Sequence, residues 1–304
     1  GVKGRREGEF MHRFLRTVGF SEYQRKHNID LLMKNLAAHC QPGQVRKIQL
    51  DEETNLCEVR AEIAPGMGVN IYGEMDETGD VKPEYYVPYM VGRSISSNAD
   101  CSIQRHTDRE TYAGLLDEYR VGISLIYYLE NVMEYRERQM AKNSTDVDYV
   151  NLAGLSVKGK ILLPIKKTAK EREMAKVAAK ERNNLLEAAK NGNEEAMESL
   201  TIEDIDLYSQ ISRRVLKEDI YSIIESSFMP CGIECDQYSI IGTIEELEIV
   251  KNCVTGEEVC KMKLECNDMF FDVAINKKDL IGEPLVGRRF KGQIWMTGTA
   301  KFKA

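Results

Sequence analysis

At 304 residues, with 42% hydrophobic and 30% charged side chains, the chain has enough apolar material to bury a core, which excludes the disordered and fibrous classes. A formal charge of −7 argues against a chain whose main partner is nucleic acid or an anionic membrane, because both demand a cationic footprint. The length predicts roughly two packed units.

The first residues read as something other than fold. Each amino acid from Lys3 to Glu9 has a codon made of purines alone, and Glu7-Gly8-Glu9 written GAA-GGA-GAA contains the bacterial ribosome-binding sequence just upstream of the codon for Met11. Met11 is therefore expected to be the native start, with residues 1–10 a translated leader and tag scar that is disordered. A genuine basic arm is the alternative. The segment from Met11 to Phe20 is interrupted by Arg16 and fails as a secretory signal, and the apolar run from Val121 to Leu129 is too short for a bilayer span. With eight cysteines spread along the chain, reduced thiols and a cytoplasmic location are expected.

From Ser21 to Cys40, apolar residues at Ile29, Leu32, Met33, Leu36 and Ala37 predict an amphipathic helix that begins on a capping serine and stops before Pro42. Short extended segments follow at Val45–Leu50, Leu56–Ile63, Val69–Met75 and Tyr85–Val91, separated by turn-forming residues such as Pro65-Gly66. They predict an antiparallel sheet with the helix on one face. Val121–Leu129 and Leu155–Ile165 are expected to extend that sheet, being β-branched or aromatic and bounded by polar segments.

Composition changes at Lys166. Thr168 to Lys190 is rich in Ala, Glu, Lys and Arg, with a narrow stripe of Met174, Val177, Ala178, Leu185 and Ala188, which predicts a solvated helix packing by one seam. Asn191-Gly192-Asn193 predicts its left-handed terminator, and Thr201 with Asp204 predicts the start of a second helix. From Cys231 the apolar period switches to two: Cys260, Met262 and Leu264, then Phe271, Val273 and Ile275, then Phe290, Ile294 and Met296, with Tyr238–Ile249 ahead of them. Four or five antiparallel strands in so short a span predict a small OB-like β-barrel, or a small sandwich.

The expected class is therefore α+β, with an N-terminal antiparallel sheet and covering helix, a charged helical segment, and a C-terminal OB-like barrel. The expected divisions are 1–10, 11–165, 166–229 and 230–304.

Among candidate ligand-binding residues, Arg289, Lys291, Gln293 and Trp295 alternate along one strand, which places two cations and an indole on one face. Such a row can stack a base and hold a phosphate. The duller reading buries Trp295 and solvates the cations. Cys231, Cys235, Cys253, Cys260 and Cys266 lack the paired spacing of a zinc site and read as structural thiols, so no metal and no cofactor is expected. Gly282 to Arg289 has a phosphate loop's glycine spacing without its Lys and Ser or Thr, and reads as a turn. Cys101, His106 and Asp108 converge on nothing in an extended segment, and Glu203, Asp204 and Asp206 read as an acidic helix start.

Three phrases, Met11-His-Arg-Phe-Leu-Arg-Thr-Val-Gly-Phe-Ser21, Phe228-Met-Pro-Cys-Gly-Ile-Glu-Cys-Asp-Gln-Tyr238 and Val286-Gly-Arg-Arg-Phe-Lys-Gly-Gln-Ile-Trp295, resemble a full-length family from clostridia-like Gram-positive gut bacteria that is described as a domain of unknown function. The resemblance brings no activity, ligand or catalytic residue. The leading expectation for function is a non-catalytic cytosolic binding or scaffold protein with a protein or small-molecule partner. An enzyme with a site in the cleft between the N-terminal sheet and the barrel is the alternative. Single-stranded nucleic-acid binding through the barrel comes last. Self-association through the charged helix is the remaining partner expectation; no membrane partner is expected, and nucleic acid is disfavoured.

Overall fold

A computed structural model describes residues 10–107, 109–165, 169–215, 220–233 and 235–304. The fold is α+β, with two sheets. Residues 1–9 of the expected leader lie outside the described residues; Phe10 does not, and its ring packs edge-on against Trp295 at 5.6 Å.

The first sheet is an antiparallel meander of β1 (Val45–Gln49), β2 (Asn55–Ala64), β3 (Met67–Met75) and β4 (Val81–Met90). Its turns follow local chemistry. Gly66 supplies a φ of 68° between β2 and β3, and the Asp76 carboxylate accepts from the backbone N–H of Thr78 at 2.9 Å and of Asp80 at 3.0 Å before β4. Helix α1 (Lys26–Ala38) covers this sheet through buried Ile29, Leu32 and Met33. The helix starts later than the predicted Ser21, because that serine is spent elsewhere. Its hydroxyl donates to Glu257 at 2.9 Å and its N–H to the same carboxylate at 3.2 Å, and the residue before α1, Arg25, makes no side-chain cap.

The second sheet contains β5 (Cys101–Arg105), β6 (Tyr112–Leu116), β7 (Leu125–Leu129), β8 (Val147–Leu162), β9 (Ser227–Pro230), β10 (Gln237–Lys251), β11 (Glu258–Cys266), β12 (Met269–Asn276), β13 (Leu280–Ile281) and β14 (Arg289–Phe302). Here two expectations are corrected. β7 and β8 do not extend the first sheet: β7 pairs with β6 and β14, and β8 with β12, β13 and β14. Nor do the strands after residue 230 close among themselves. β10, β11 and β12 form an antiparallel meander, β12 pairs in parallel with β8, β8 antiparallel with β14, and β14 antiparallel with β10. The circuit therefore needs β8, from far upstream. Two-residue periodicity says which side chains face inward and nothing about which strand lies alongside. Gly159 on β8 shows how closely the two sides approach, for the ring of Phe290 on β14 occupies the space where a Cβ would stand.

Helix α2 (Val132–Met140) follows β7, and α3 (Ala169–Lys190) and α4 (Glu194–Val215) form a hairpin. Gly192, at φ 91°, sits in the predicted terminator. The second helix of the hairpin starts at Glu194 and not at Thr201: the Asn193 side chain accepts from the N–H of Ala196 at 3.1 Å, taking the capping role. Glu203, Asp204 and Asp206 consequently lie within α4, and Asp204 pairs with Arg182 of α3 at 2.8 Å.

A short segment near the N-terminus is bound to the second sheet by side chains. The Thr17 hydroxyl donates to the Ser156 carbonyl at 2.9 Å, the Asn252 amide to the Val18 carbonyl at 2.8 Å, and the Asn276 amide to the Arg16 carbonyl at 2.8 Å. Between the two sheets lies a buried polar network. Glu130, which follows β7, accepts from Arg60 of β2 and from the Thr299 hydroxyl of β14 at 3.0 Å. Glu58, 4% exposed, accepts from the Tyr72 hydroxyl at 2.8 Å.

Burial is the main cause that pushes the Glu58 carboxyl from 4.5 up to about 7; the Tyr72 hydrogen bond opposes it and the Glu130 charge adds to it. The native state therefore holds a proton that the unfolded chain releases at lower pH. Its contribution is fully present below about pH 4.5 and is lost as pH rises through about 7. Glu58→Gln is expected to flatten this decline and to raise stability at pH 8 by roughly 2–3 kcal/mol, as read from urea unfolding at several pH values. An unchanged pH slope would remove Glu58 as its source.

Candidate functional site

A cavity of about 990 Å³ opens beside α1. Helical spacing brings Lys26, Ile29, Asp30, Met33 and Lys34 to one face of α1, and all five line it. Residues Pro83 to Val87 of β4 form a second wall, and His106, Arg109 and Thr111 from the β5–β6 connection a third. Phe10, Met11 and His12 close one end, and Asp236, just before β10, contributes from the second sheet. The rim is exposed and of mixed charge, with Lys26, Lys34 and His106 beside Asp30 and Glu84.

Deeper in, the chemistry is more selective. The Arg109 guanidinium lies 4.9 Å from the centre of the Tyr85 ring and makes no ion pair among the described residues. Tyr85 stacks on Tyr72 with ring centres 4.9 Å apart. Its hydroxyl, like Nδ1 of His12, is buried without a hydrogen-bond partner among the described residues. Burial holds the Tyr85 phenol well above its ordinary range despite the neighbouring Arg109 charge, and pushes the Tyr86 phenol up to about 12. Both are neutral hydroxyls across the physiological range.

Asp236 joins this cavity to the core. Its carboxylate accepts from the indole N–H of Trp295 at 2.9 Å. Burial raises its proton affinity, while the Trp295 hydrogen bond and the charge of His106 pull the other way. Trp295 itself is wholly enclosed, at 0% exposure, with the rings of Phe14 at 5.2 Å and Tyr128 at 5.3 Å.

The predicted row on β14 is thereby dispersed. Arg289 is 3% exposed and donates to the carbonyls of Leu163 at 3.0 Å, Ile224 at 2.6 Å and Tyr221 at 2.5 Å. Lys291 is half-buried, its ammonium 5.4 Å from the Tyr221 ring, and Gln293 is exposed. Trp295 presents no open ring face on which a base stacks. Of the other candidates, the Cys101 thiol lies 3.2 Å from the Tyr127 hydroxyl, burial raises its pKa, and Asp108 lies outside the described residues. Cys260 and Cys266 are buried, Cys231 and Cys253 exposed, and all eight cysteines are free. Among the described residues no group of three or more His, Cys, Asp and Glu is arranged to hold a metal ion, and no helix is long and apolar enough to cross a membrane.

Residues 15–298 match the family described as a domain of unknown function, E. rectale gene description (DUF3881). The chain belongs to this family. The match spans Tyr85, Arg109 and Asp236 and begins after His12. No curated protein and no solved structure matches the chain. In this DUF3881 member the cavity residues come from several separate stretches of the chain, so sequence spacing carried no signal for them. The one readable signal was the face of α1.

Removing the acceptor for a buried indole N–H costs about 1–3 kcal/mol. Asp236→Ala is expected to destabilise the protein by that amount and to shift the emission of Trp295, the single tryptophan, whereas Asp236→Asn, which keeps an acceptor oxygen, costs less. Fluorescence-monitored unfolding of both variants checks the order.

Proposed function

We propose that the protein is a non-catalytic binding protein whose ligand is a small molecule with one anionic group and a flat or apolar body, held in the cavity beside α1. The observation that carries this reading is the inner wall, where among the described residues Arg109 has no ion pair and two buried polar atoms, Tyr85 Oη and His12 Nδ1, have no hydrogen-bond partner. A buried polar atom without a partner costs about 1–3 kcal/mol, and a carboxylate or phosphate on Arg109 supplies acceptors that reduce this cost. Met33, Val87 and Phe10 offer the apolar surface, and the volume of about 990 Å³ suits a metabolite-sized ligand.

The circuit β10–β11–β12–β8–β14 is read as a small OB-like barrel, supported by pairings that return to their start. Eight free thiols support a cytoplasmic location. An acid–base enzyme is the second reading, favoured by Asp236, whose proton affinity burial raises against the neighbouring His106 charge.

Anilinonaphthalene sulfonate, which is anionic and aromatic, serves as the probe. Titration is expected to quench Trp295 by energy transfer and to saturate. Arg109→Ala is expected to weaken binding about tenfold and Tyr85→Phe severalfold, the scale of a lost charge-assisted and a lost neutral hydrogen bond. Equal affinity in the wild type and both variants would overturn the proposal.

A further inference from the structure

Helix α3 runs for 22 residues with none of them buried, and among its described side chains α4 buries only Ala196 and Leu200. The hairpin is held at its closed end. Lys190 pairs with Asp117 at 2.8 Å, and Ala196 and Leu200 sit just past the turn. Further out, the 2.8 Å pair of Arg182 and Asp204 sets the two helices side by side.

Along each helix the apolar stripe outlasts its cover. Leu200 and Leu207 are two turns apart on one face of α4, yet the first is 8% exposed and the second 52%, with Tyr208 beside it at 75%. On α3, Leu185 is half-buried, whereas Met174, three turns away on the same face, is 62% exposed and Val177 50%. Solvated helices of this length gain little from propensity alone and depend on a covered apolar face. The open stripe continues the one that packs near the turn.

Two features identify what covers it. The first is charge: α3 carries six Lys and Arg against four Glu, and α4 carries six Asp and Glu against two Arg. A two-fold arrangement that lays α3 of each copy on α4 of the other brings opposite signs together, and the same patch then serves both copies, as an isologous contact requires. The second is size. A face two helices wide and about 33 Å long offers roughly 650 Å², close to the roughly 800 Å² per partner of a standard interface. We propose that the α3–α4 hairpin docks on the same hairpin of a second copy, forming four helices around Met174, Val177, Leu207 and Tyr208.

Sedimentation of the full chain at micromolar concentration tests this. The wild type is expected to run at twice the chain mass, and Leu207→Glu with Tyr208→Glu at the chain mass, with the far-ultraviolet helix signal retained. Should that variant lose helix signal, Leu207→Ala with Tyr208→Ala, which keeps helix propensity, decides the matter through a dimer Kd raised at least about tenfold. A monomeric wild type, or a dimer whose affinity is unchanged in the alanine variant, overturns the proposal.

Discussion

The architecture depends on β8 lying between β12 and β14. From Phe302 against Val147 to Arg289 against Leu162, β14 follows β8 along almost its whole length, while its other edge binds β10 from Gln237 to Thr243. Without β8 the meander β10–β11–β12 has an open edge at β12, and β14 loses the longest of its pairings. These contacts span more than a hundred residues of chain, so the entropy of closing that loop must be offset by the apolar surface the circuit buries. Phe290, Ile294, Trp295 and Met296, all at or below 2% exposure, supply part of it.

That packing also places the first sheet. The bridge runs through charge: Arg60 and Thr299 both reach Glu130, joining β2 to β14. Buried ions are costly unless their partners are correctly placed, so this network penalises any other docking angle of one sheet on the other. Glu58, Tyr72 and Tyr85 extend the same logic outward, from buried carboxyl through a hydrogen-bonded hydroxyl to a stacked ring in the cavity wall. The cavity has its shape because both sheets contribute to it and neither is free to turn.

Much of the fold was legible from local pattern. Ile29, Leu32 and Met33 gave α1 its buried face, and the alternating apolar residues of β11, β12 and β14 are buried as read, although much of the opposite face of these strands is buried as well. What local pattern lacks is the identity of neighbours. Of the segments read as extended at Val121–Leu129 and Leu155–Ile165, only Leu125–Leu129 and the part up to Leu162 are strand, Val121 lying in a 3-10 turn, and their partners lie far along the chain. Competition among polar side chains accounts for the misread helix starts: Ser21 binds Glu257 instead of capping α1, and Asn193 caps α4 ahead of Thr201. The β14 row failed because period two places residues on a face without saying what covers that face; here carbonyls surround Arg289 and aromatic rings surround Trp295. The cavity was unreadable for the related reason that His12, Tyr85, Arg109 and Asp236 share no spacing.

Trp295 nevertheless stands close to the candidate chemistry, in a role different from stacking. Its indole N–H fixes Asp236 at the edge of the cavity, and burial biases that carboxyl toward its neutral form. An anion entering toward Arg109 would meet repulsion from an ionised Asp236, and each increment of proton affinity at Asp236 lessens it. The indole hydrogen bond works in the opposite sense, keeping the carboxyl ionisable and oriented. A group balanced between these two influences would feel the charge of a ligand in the cavity, and its hydrogen bond ties it to Trp295, the largest fully buried side chain among the described residues.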